Sequence, residues 1–186
     1  PWENPFHDVD EDAWYAEAVQ YVQEKGLMAG TGPTTFAPDA TSSRSMVVTT
    51  LWRLEGSPVV NYAMDFTDVA EGSWYAEAVR WAASEGIAGG YGGSSFGPSD
   101  TITREQLAVM LYRYAQEQGY DVTASADLSG FSDVNDVSDY ALEALKWASA
   151  AGIVNGTSEN TLTPQGSATR AQVAVMLMRF CENVVQ

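Results

Sequence analysis

Apolar residues recur at three- and four-residue spacing in six segments of the chain, a pattern typical of amphipathic helices. The helices form pairs. The first helix of each pair is predicted over Ala13–Lys25, Ser73–Glu85 and Ser138–Ala150, and the second over Arg44–Leu54, Arg104–Gln116 and Arg170–Val184. Candidate N-caps of the first helices are Asp12, Ser73 and Ser138 or Asp139, and the predicted C-terminal glycines are Gly26, Gly86 and Gly152.

The helix pairs belong to three internal repeats. Phe6-His7-Asp8-Val9 returns as Phe66-Thr67-Asp68-Val69 and as Phe131-Ser132-Asp133-Val134. We assign repeat 1 to residues 1–54, repeat 2 to residues 66–116 and repeat 3 to residues 131–186, with linkers at 55–65 and 117–130. A repeat of this size cannot bury both of its helices alone. We therefore expect a mainly α fold in which three helix-loop-helix repeats share one core.

Each second helix is predicted to begin with an arginine. Thr103 with Gln106, and Thr169 with Gln172, fit the reciprocal capping box, which places Arg104 and Arg170 at the first helical position. Ser43 is a candidate N-cap before Arg44, but Met46 stands where the glutamine would be, so the capping box is absent from repeat 1. A cation at the first helical position faces the positive end of the helix dipole, at a cost of roughly 0.3–1 kcal/mol. Two interpretations are open: an anion site made of free helix N–H groups and the guanidinium, or a salt bridge to a carboxylate of the neighbouring repeat.

Composition limits the kinds of function. The formal net charge is −16 and the pI is near 4.1, which weighs against binding to nucleic acid or to anionic membrane surfaces. No apolar run reaches the roughly 20 residues of a membrane-spanning helix. The single histidine and the single cysteine, His7 and Cys181, are too few for a zinc site or a nucleophilic triad. We predict no metal and no cofactor, and no enzyme activity, because the many acidic residues lie in no catalytic motif.

Taken in order, the motifs resemble the S-layer homology (SLH) domain. They are Phe-x-Asp-Val, Trp-Tyr-x-x-Ala-Val, Gly-Ile-x-x-Gly, Phe-x-Pro and Thr-Arg-x-x-x-Ala-x-Met-Leu, and three copies cover nearly the entire chain. The resemblance implies a pseudo-threefold bundle with a central three-helix core and a groove between neighbouring repeats. It also implies an extracellular module, part of a larger surface protein, that anchors it non-covalently to the bacterial cell wall or S-layer.

The implied ligand is a secondary cell-wall polysaccharide that carries a pyruvylated amino sugar, held through the arginine of the signature. A guanidinium matches the ketal carboxylate, an aromatic face suits the sugar ring, aspartate accepts from hydroxyl groups, and glycine admits backbone N–H groups. The residues carried over are Arg44, Arg104, Arg170, Asp8, Asp68, Asp133, Trp14, Trp74, Tyr140, Gly30, Gly90, Gly156, Gln106 and Gln172.

Other interpretations of these residues remain open at this stage. The three aspartates could brace the turn before the first helix instead of contacting sugar. The grooves could bind a protein subunit, or modified peptidoglycan. Trp81 and Trp147 follow the apolar spacing of the first helices and are predicted to lie in the core.

Overall fold

The computed structural model describes residues 1–185 and contains six α-helices within that range. They are α1 (Ala16–Glu24), α2 (Arg44–Leu54), α3 (Ala76–Ser84), α4 (Arg104–Glu117), α5 (Leu142–Ala150) and α6 (Arg170–Asn183). Two short 3₁₀ helices, Val134–Asp136 and Asp139–Ala141, precede α5. Residues 1–185 form no extended β-strand, only isolated bridges, so the mainly α prediction is confirmed.

The second helix of each repeat begins where the sequence predicts. Thr103 and Thr169 are the N-caps of α4 and α6, and both capping boxes are complete. Ser43 caps α2, and its hydroxyl accepts the Met46 N–H at 3.1 Å. Arg44, Arg104 and Arg170 therefore occupy the first helical position of α2, α4 and α6.

The first helix of each repeat begins later than predicted. The N-cap positions are Tyr15, Tyr75 and Ala141, none with a side-chain cap bond, so the predicted caps were wrong. In repeat 1 the residues before α1 form consecutive turns instead, in which Ala13 N–H donates to Asp10 and Ala16 N–H donates to Ala13. Trp14 thus lies on a turn before the helix, and its side chain is 68% exposed.

The glycines predicted to end the first helices do so. Gly26, Gly86 and Gly152 have φ values of +68°, +71° and +75°, the left-handed conformation that favours glycine. The residue after each glycine donates its N–H back into the helix, as in Leu27 N to Val22 O at 2.9 Å. The chain therefore leaves each first helix in the same direction.

The helices pack between repeats in a closed cycle. Helix α3 of repeat 2 packs on α2 of repeat 1, α5 of repeat 3 packs on α4 of repeat 2, and α1 of repeat 1 packs on α6 of repeat 3. Trp81 and Trp147 lie within this core with 2% and 1% of their surface exposed, as predicted. A threefold symmetry of the cycle stays a prediction.

Backbone hydrogen bonds join the same three repeats just before the second helices. Ser42 N–H donates to Ala168 O at 3.0 Å, Ala168 N–H donates to Ile102 O at 3.0 Å, and Ile102 N–H donates to Ser42 O at 2.8 Å. These three residues occupy the same place in their repeats, two positions before the helical arginine. This cycle of three hydrogen bonds fixes the starts of α2, α4 and α6 relative to one another, and with them the three arginines.

Candidate functional site

The first N–H groups of each second helix are already bonded. In α4 the donor–acceptor pairs are Arg104 N to Gly166 O (2.9 Å), Glu105 N to Pro164 O (3.0 Å) and Gln106 N to Thr103 Oγ1 (3.2 Å). In α2 and α6 the first two N–H groups also donate to carbonyls of a neighbouring repeat. The prediction of an anion site made from free helix N–H groups is therefore wrong, because the neighbouring repeat supplies their acceptors.

The arginine side chains cross from one repeat to the next. Arg44 donates from Nε to Phe96 O at 3.2 Å and from Nη2 to Gly89 O at 2.7 Å, and Arg170 makes the same pair of bonds to Phe36 O and Ala29 O. The ion pairs formed among residues 1–185 involve other side chains, so the salt-bridge alternative is not observed either. The guanidinium instead holds the loop of the following repeat.

Arg104 lines a cavity of about 360 Å³ that we call the Arg104 groove. The loop of repeat 3 and one face of α6 form its walls, and Trp14 of repeat 1 also lines it. All three repeats thus contribute to one site. Its lining residues are Trp14, Arg104, Ile153, Val154, Asn155, Gly156, Thr157, Gln172, Val175, Met176 and Arg179.

A second cavity, the Arg44 groove, has the same construction one repeat earlier and a volume of about 260 Å³. Its lining residues are Arg44, Ile87, Ala88, Gly89, Gly90, Tyr91, Gln106, Val109, Met110, Arg113 and Tyr140. The buried Glu105 carboxylate fixes the segment that contains Tyr140. The carboxylate accepts the Ser138 N–H at 3.0 Å and the Ser138 hydroxyl at 2.6 Å.

Each groove contains a second arginine that the sequence interpretation missed. Arg179 lines the Arg104 groove and Arg113 lines the Arg44 groove. In α6, Gln172, Val175, Met176 and Arg179 follow the i, i+3, i+4, i+7 spacing that defines one helix face. Counting two helical turns onward from Gln106 and from Gln172 leads to Arg113 and Arg179, so the sequence contained the signal for both arginines. Each groove therefore presents two cations to one ligand.

The two grooves differ in how much of the first arginine is available. Both side chains are nearly buried, with 7% of Arg104 and 5% of Arg44 exposed. Burial lowers the pKa of the Arg104 guanidinium and nearby Asp133 opposes this, but arginine stays charged in proteins. Arg104 bonds through Nε to Leu162 O at 3.0 Å, whereas its two Nη groups have no hydrogen-bond partner among residues 1–185. Four N–H bonds of Arg104 are thus available to a ligand.

A change in the repeat 3 loop explains the free Nη groups. Asn155 occupies the place of Gly89, the carbonyl of which binds Arg44. The next residue, Gly156, has a φ of +87°, while Gly30 and Gly90 lie outside the left-handed region. The different path removes the Asn155 carbonyl from Arg104 and brings the exposed Asn155 to the groove wall.

The three aspartates of the opening motifs brace the loops of their own repeats. Asp8 accepts Phe36 N–H and Ala37 N–H, both at 2.8 Å, one on each carboxylate oxygen. Asp68 and Asp133 bind the equivalent backbone N–H pairs at 2.8–2.9 Å. Burial acts to raise the pKa of Asp8, but the two backbone donors outweigh it and the net shift is downward. The same holds for Asp68 and Asp133.

These lowered pKa values predict how stability depends on pH. A carboxylate with a folded pKa below its unfolded value of about 3.9 stabilises the fold above that pH, and the contribution disappears as pH falls through the folded pKa. We expect Asp133→Asn to lower the free energy of unfolding by about 1–2 kcal/mol at pH 6. The difference from wild type should shrink towards zero below pH 3, measured by urea unfolding at each pH.

Other acidic groups also titrate in this range, since the chain carries a net charge of −16. The difference between wild type and variant isolates Asp133 from them. Asp136→Asn is the matched control, because the same charge is removed three residues away and we expect a change below about 0.5 kcal/mol. A wild-type–Asp133→Asn difference that stays constant from pH 6 to pH 2 would contradict the brace.

The remaining predicted site residues are placed differently. Arg170, Trp74, Gly30 and the three aspartates line neither the Arg104 groove nor the Arg44 groove. The loop glycines have a packing role: a Cβ on Gly30 would lie 2.5 Å from the Thr35 carbonyl oxygen and 2.6 Å from the Phe6 ring. The grooves do unite eight of the predicted residues: Trp14, Arg104, Gly156 and Gln172 in the first, and Arg44, Gly90, Gln106 and Tyr140 in the second.

Comparison with known proteins assigns the family. A sequence model described as the S-layer homology domain matches residues 5–45, 65–108 and 130–174, which is most of the chain. The chain belongs to the S-layer homology domain family. Domains of this family anchor surface proteins to the cell wall and bind cell-wall polymers, and they are non-catalytic.

Three relatives show the proteins in which similar S-layer homology domains occur. The chain is 31% identical over 96% of its length to the surface-layer 125 kDa protein of Lysinibacillus sphaericus, and 26% identical over 97% of its length to a cellulosome-anchoring protein of Acetivibrio thermocellus. It is 29% identical over 97% of its length to an amylopullulanase of Thermoanaerobacterium thermosulfurigenes. The aligned regions are 15%, 39% and 10% of these proteins, respectively, so the amylopullulanase name does not describe this S-layer homology region. Among residues 1–185, every helix falls short of the length and apolar character that spanning a bilayer requires.

Proposed function

We propose that this S-layer homology unit holds a larger surface protein on the outside of a bacterial cell, by binding an acidic cell-wall polysaccharide in the Arg104 groove. The ligand unit is an amino sugar with a pyruvate ketal. The observation that carries the proposal is a nearly buried guanidinium with two free Nη groups in the wall of a groove of about 360 Å³, which an exposed tryptophan also lines.

The chemistry of the groove suits one carboxylate on an otherwise neutral ring. The Nη groups of Arg104 form a planar fork that can bind both carboxylate oxygens. Trp14 supplies a flat apolar face for the C–H side of the sugar, while the Nε2 group of Gln172 and the amide of Asn155 can bond to hydroxyl or acetamido groups. A cavity of this size lies within the roughly 300–1,000 Å³ range of small-ligand sites.

The acidic character of the chain is compatible with an acidic ligand under one condition. A net charge of −16 repels an anionic polymer at long range, so affinity must come from contacts inside the groove. Binding should then vary little between 50 and 200 mM salt, because salt screens the repulsion and leaves the buried contact almost unchanged. A steep loss over this range would indicate a diffuse electrostatic interaction instead.

The test is co-sedimentation of the chain with sacculi of the bacterium that carries it, before and after acid extraction of the non-peptidoglycan polymer. We expect wild type to sediment only with untreated sacculi. Arg104→Ala should weaken binding about 30-fold or more, because it removes a buried charge that pairs with the ligand. Arg104→Lys should also bind weakly, since lysine keeps the charge and loses the fork.

Arg80→Ala is the matched control. It removes the same charge from α3, where the half-buried Arg80 pairs with Glu71 and Glu77 and lines neither groove. It should bind like wild type. Binding that survives extraction would indicate peptidoglycan as the ligand, and no binding to untreated sacculi would indicate a protein-interaction module.

A further inference from the structure

The Arg44 groove contains a side chain that the other repeats lack. Tyr91 lies in the loop of repeat 2, and threonine, Thr31 and Thr157, occupies the equivalent place in repeats 1 and 3. The guanidinium carbon of Arg44 lies 4.8 Å from the centre of the Tyr91 ring and 4.8 Å from the centre of the Phe96 ring. Arg44 therefore lies against two aromatic rings.

Arg44 has fewer donors left for a ligand than Arg104. Nε donates to Phe96 O and Nη2 donates to Gly89 O through one of its two N–H bonds, which leaves three N–H bonds, two on Nη1 and one on Nη2, without a partner among residues 1–185. The Tyr91 ring also occupies space in the groove, which at about 260 Å³ is smaller than the Arg104 groove at about 360 Å³. A carboxylate that binds both Nη groups of Arg44 must share Nη2 with the Gly89 carbonyl and enter the groove beside the Tyr91 ring.

The Tyr91 ring packs on Gly97, and only repeat 2 provides a glycine at this position. A Cβ on Gly97 would lie 2.5 Å from Tyr91 Cε2 and 2.5 Å from Asp100 Oδ2, so the ring and the Asp100 carboxylate both rest against the glycine. The equivalent residues are Ala37 and Thr163, which carry a Cβ in the same left-handed conformation. Gly97 has a φ of +73°, against +55° for Ala37 and +51° for Thr163. The tyrosine and the glycine therefore occur together, in the loop of repeat 2.

From these contacts we infer that Tyr91 is a built-in cover of the Arg44 groove, seated on Gly97, which limits the binding of a carboxylated sugar there and leaves the Arg104 groove open. The inference rests on the proposed function and adds a residue that decides which groove is occupied. Its energetic basis is the cation–π contact and the groove space that the Tyr91 ring occupies, since a sugar that approaches the Nη groups of Arg44 competes with the ring for the same space. Together they should weaken binding at Arg44 about tenfold or more.

The experiment is an NMR titration of the ¹⁵N-labelled chain with the methyl glycoside of a 4,6-pyruvylated N-acetylhexosamine. Backbone amides report the two grooves separately: Asn155 and Thr157 for the Arg104 groove, and Ala88 and Gly90 for the Arg44 groove. In wild type we expect shifts that saturate at the first pair of amides, and at least tenfold weaker binding at the second.

Two variants remove the cover in different ways. Tyr91→Thr introduces the residue of the other repeats, and Gly97→Ala introduces the Cβ of repeat 1 beneath the ring. Each should bring saturable binding to Ala88 and Gly90, at a concentration about tenfold lower than in wild type. Tyr91→Phe keeps the ring and should behave like wild type. Arg104→Ala should abolish the shifts at Asn155 and Thr157 alone.

The outcomes separate the inference from the function on which it rests. Equal affinity at the two grooves of wild type, or no gain in both Tyr91→Thr and Gly97→Ala, would overturn the cover while leaving the sugar site in place. The absence of shifts at both grooves of wild type would overturn the proposed ligand, and the cover of a sugar site with it.

Discussion

An isolated repeat 2, residues 66–116, should not fold. Its two helices have their extensive contacts outside the fragment, since α3 packs on α2 of repeat 1 and α4 packs against α5 of repeat 3. The fragment would expose Val79, Trp81 and Leu111, which are buried in the intact chain. A chain of about 50 residues without its partners cannot bury enough apolar surface to offset its conformational entropy. Far-UV circular dichroism should show little helix and no cooperative thermal transition.

A circular permutant is the matching control, because it breaks the chain and keeps the cycle. New termini between Val59 and Val60 fall in the linker 55–65, where Val59 is 86% exposed. The original ends lie near the same end of α1, since Trp2 bonds to Gln23 at 2.7 Å and Val185 lines a cavity with Lys25. A short Gly/Ser segment can therefore join them. We expect this permutant to unfold cooperatively, within a few degrees of wild type.

A folded, monomeric fragment 66–116 would show that one repeat is sufficient, against the closed cycle of packing. Failure of the permutant together with failure of the fragment would show that the sequence order of the repeats matters as well as their contacts. The fragment and the permutant thus separate dependence on neighbouring repeats from dependence on chain connectivity.

The second helices could be predicted closely because their signals are local. A threonine, an arginine and a glutamine within four residues define the start, and the capping boxes form as expected. The first helices could not be placed as well. Asp12 and Ser73 are good N-caps in isolation, but such side chains also favour turns, and turns are what the chain forms there. Local preference alone did not distinguish the two structures.

The site was predicted in part, for a different physical reason. The sequence identifies the arginine but not the acceptors of its neighbouring N–H groups, because Gly166 and Pro164 lie 60 or so residues away and approach only in the folded cycle. Likewise, no local signal reveals that the two carboxylate oxygens of Asp8 accept the N–H groups of Phe36 and Ala37. Arg179, in contrast, was available from helical spacing alone.

Phe180→Ala should lower the free energy of unfolding by about 3–5 kcal/mol. Phe180 is fully buried in α6, and its ring lies 5.9 Å from the Tyr114 ring of α4 and 6.3 Å from the Trp147 ring of α5. Removing it leaves a cavity where α4, α5 and α6 meet, bordered by large rings that cannot collapse easily. For a domain of ordinary stability, about 5–15 kcal/mol, this is a substantial share of the total.

Denaturant unfolding measures the effect, with Phe180→Leu and Cys181→Ala as graded controls. Leucine keeps most of the volume and should cost about 1–2 kcal/mol. Cys181 is the next residue of α6 but is only partly buried, so its replacement by alanine should cost less than about 1 kcal/mol. The denaturant slope should be unchanged if the variants unfold from the same native state. A loss for Phe180→Ala no larger than that for Cys181→Ala would contradict a core shared by repeats 2 and 3, because it would mean that the Phe180 ring does not hold α6 against α4 and α5.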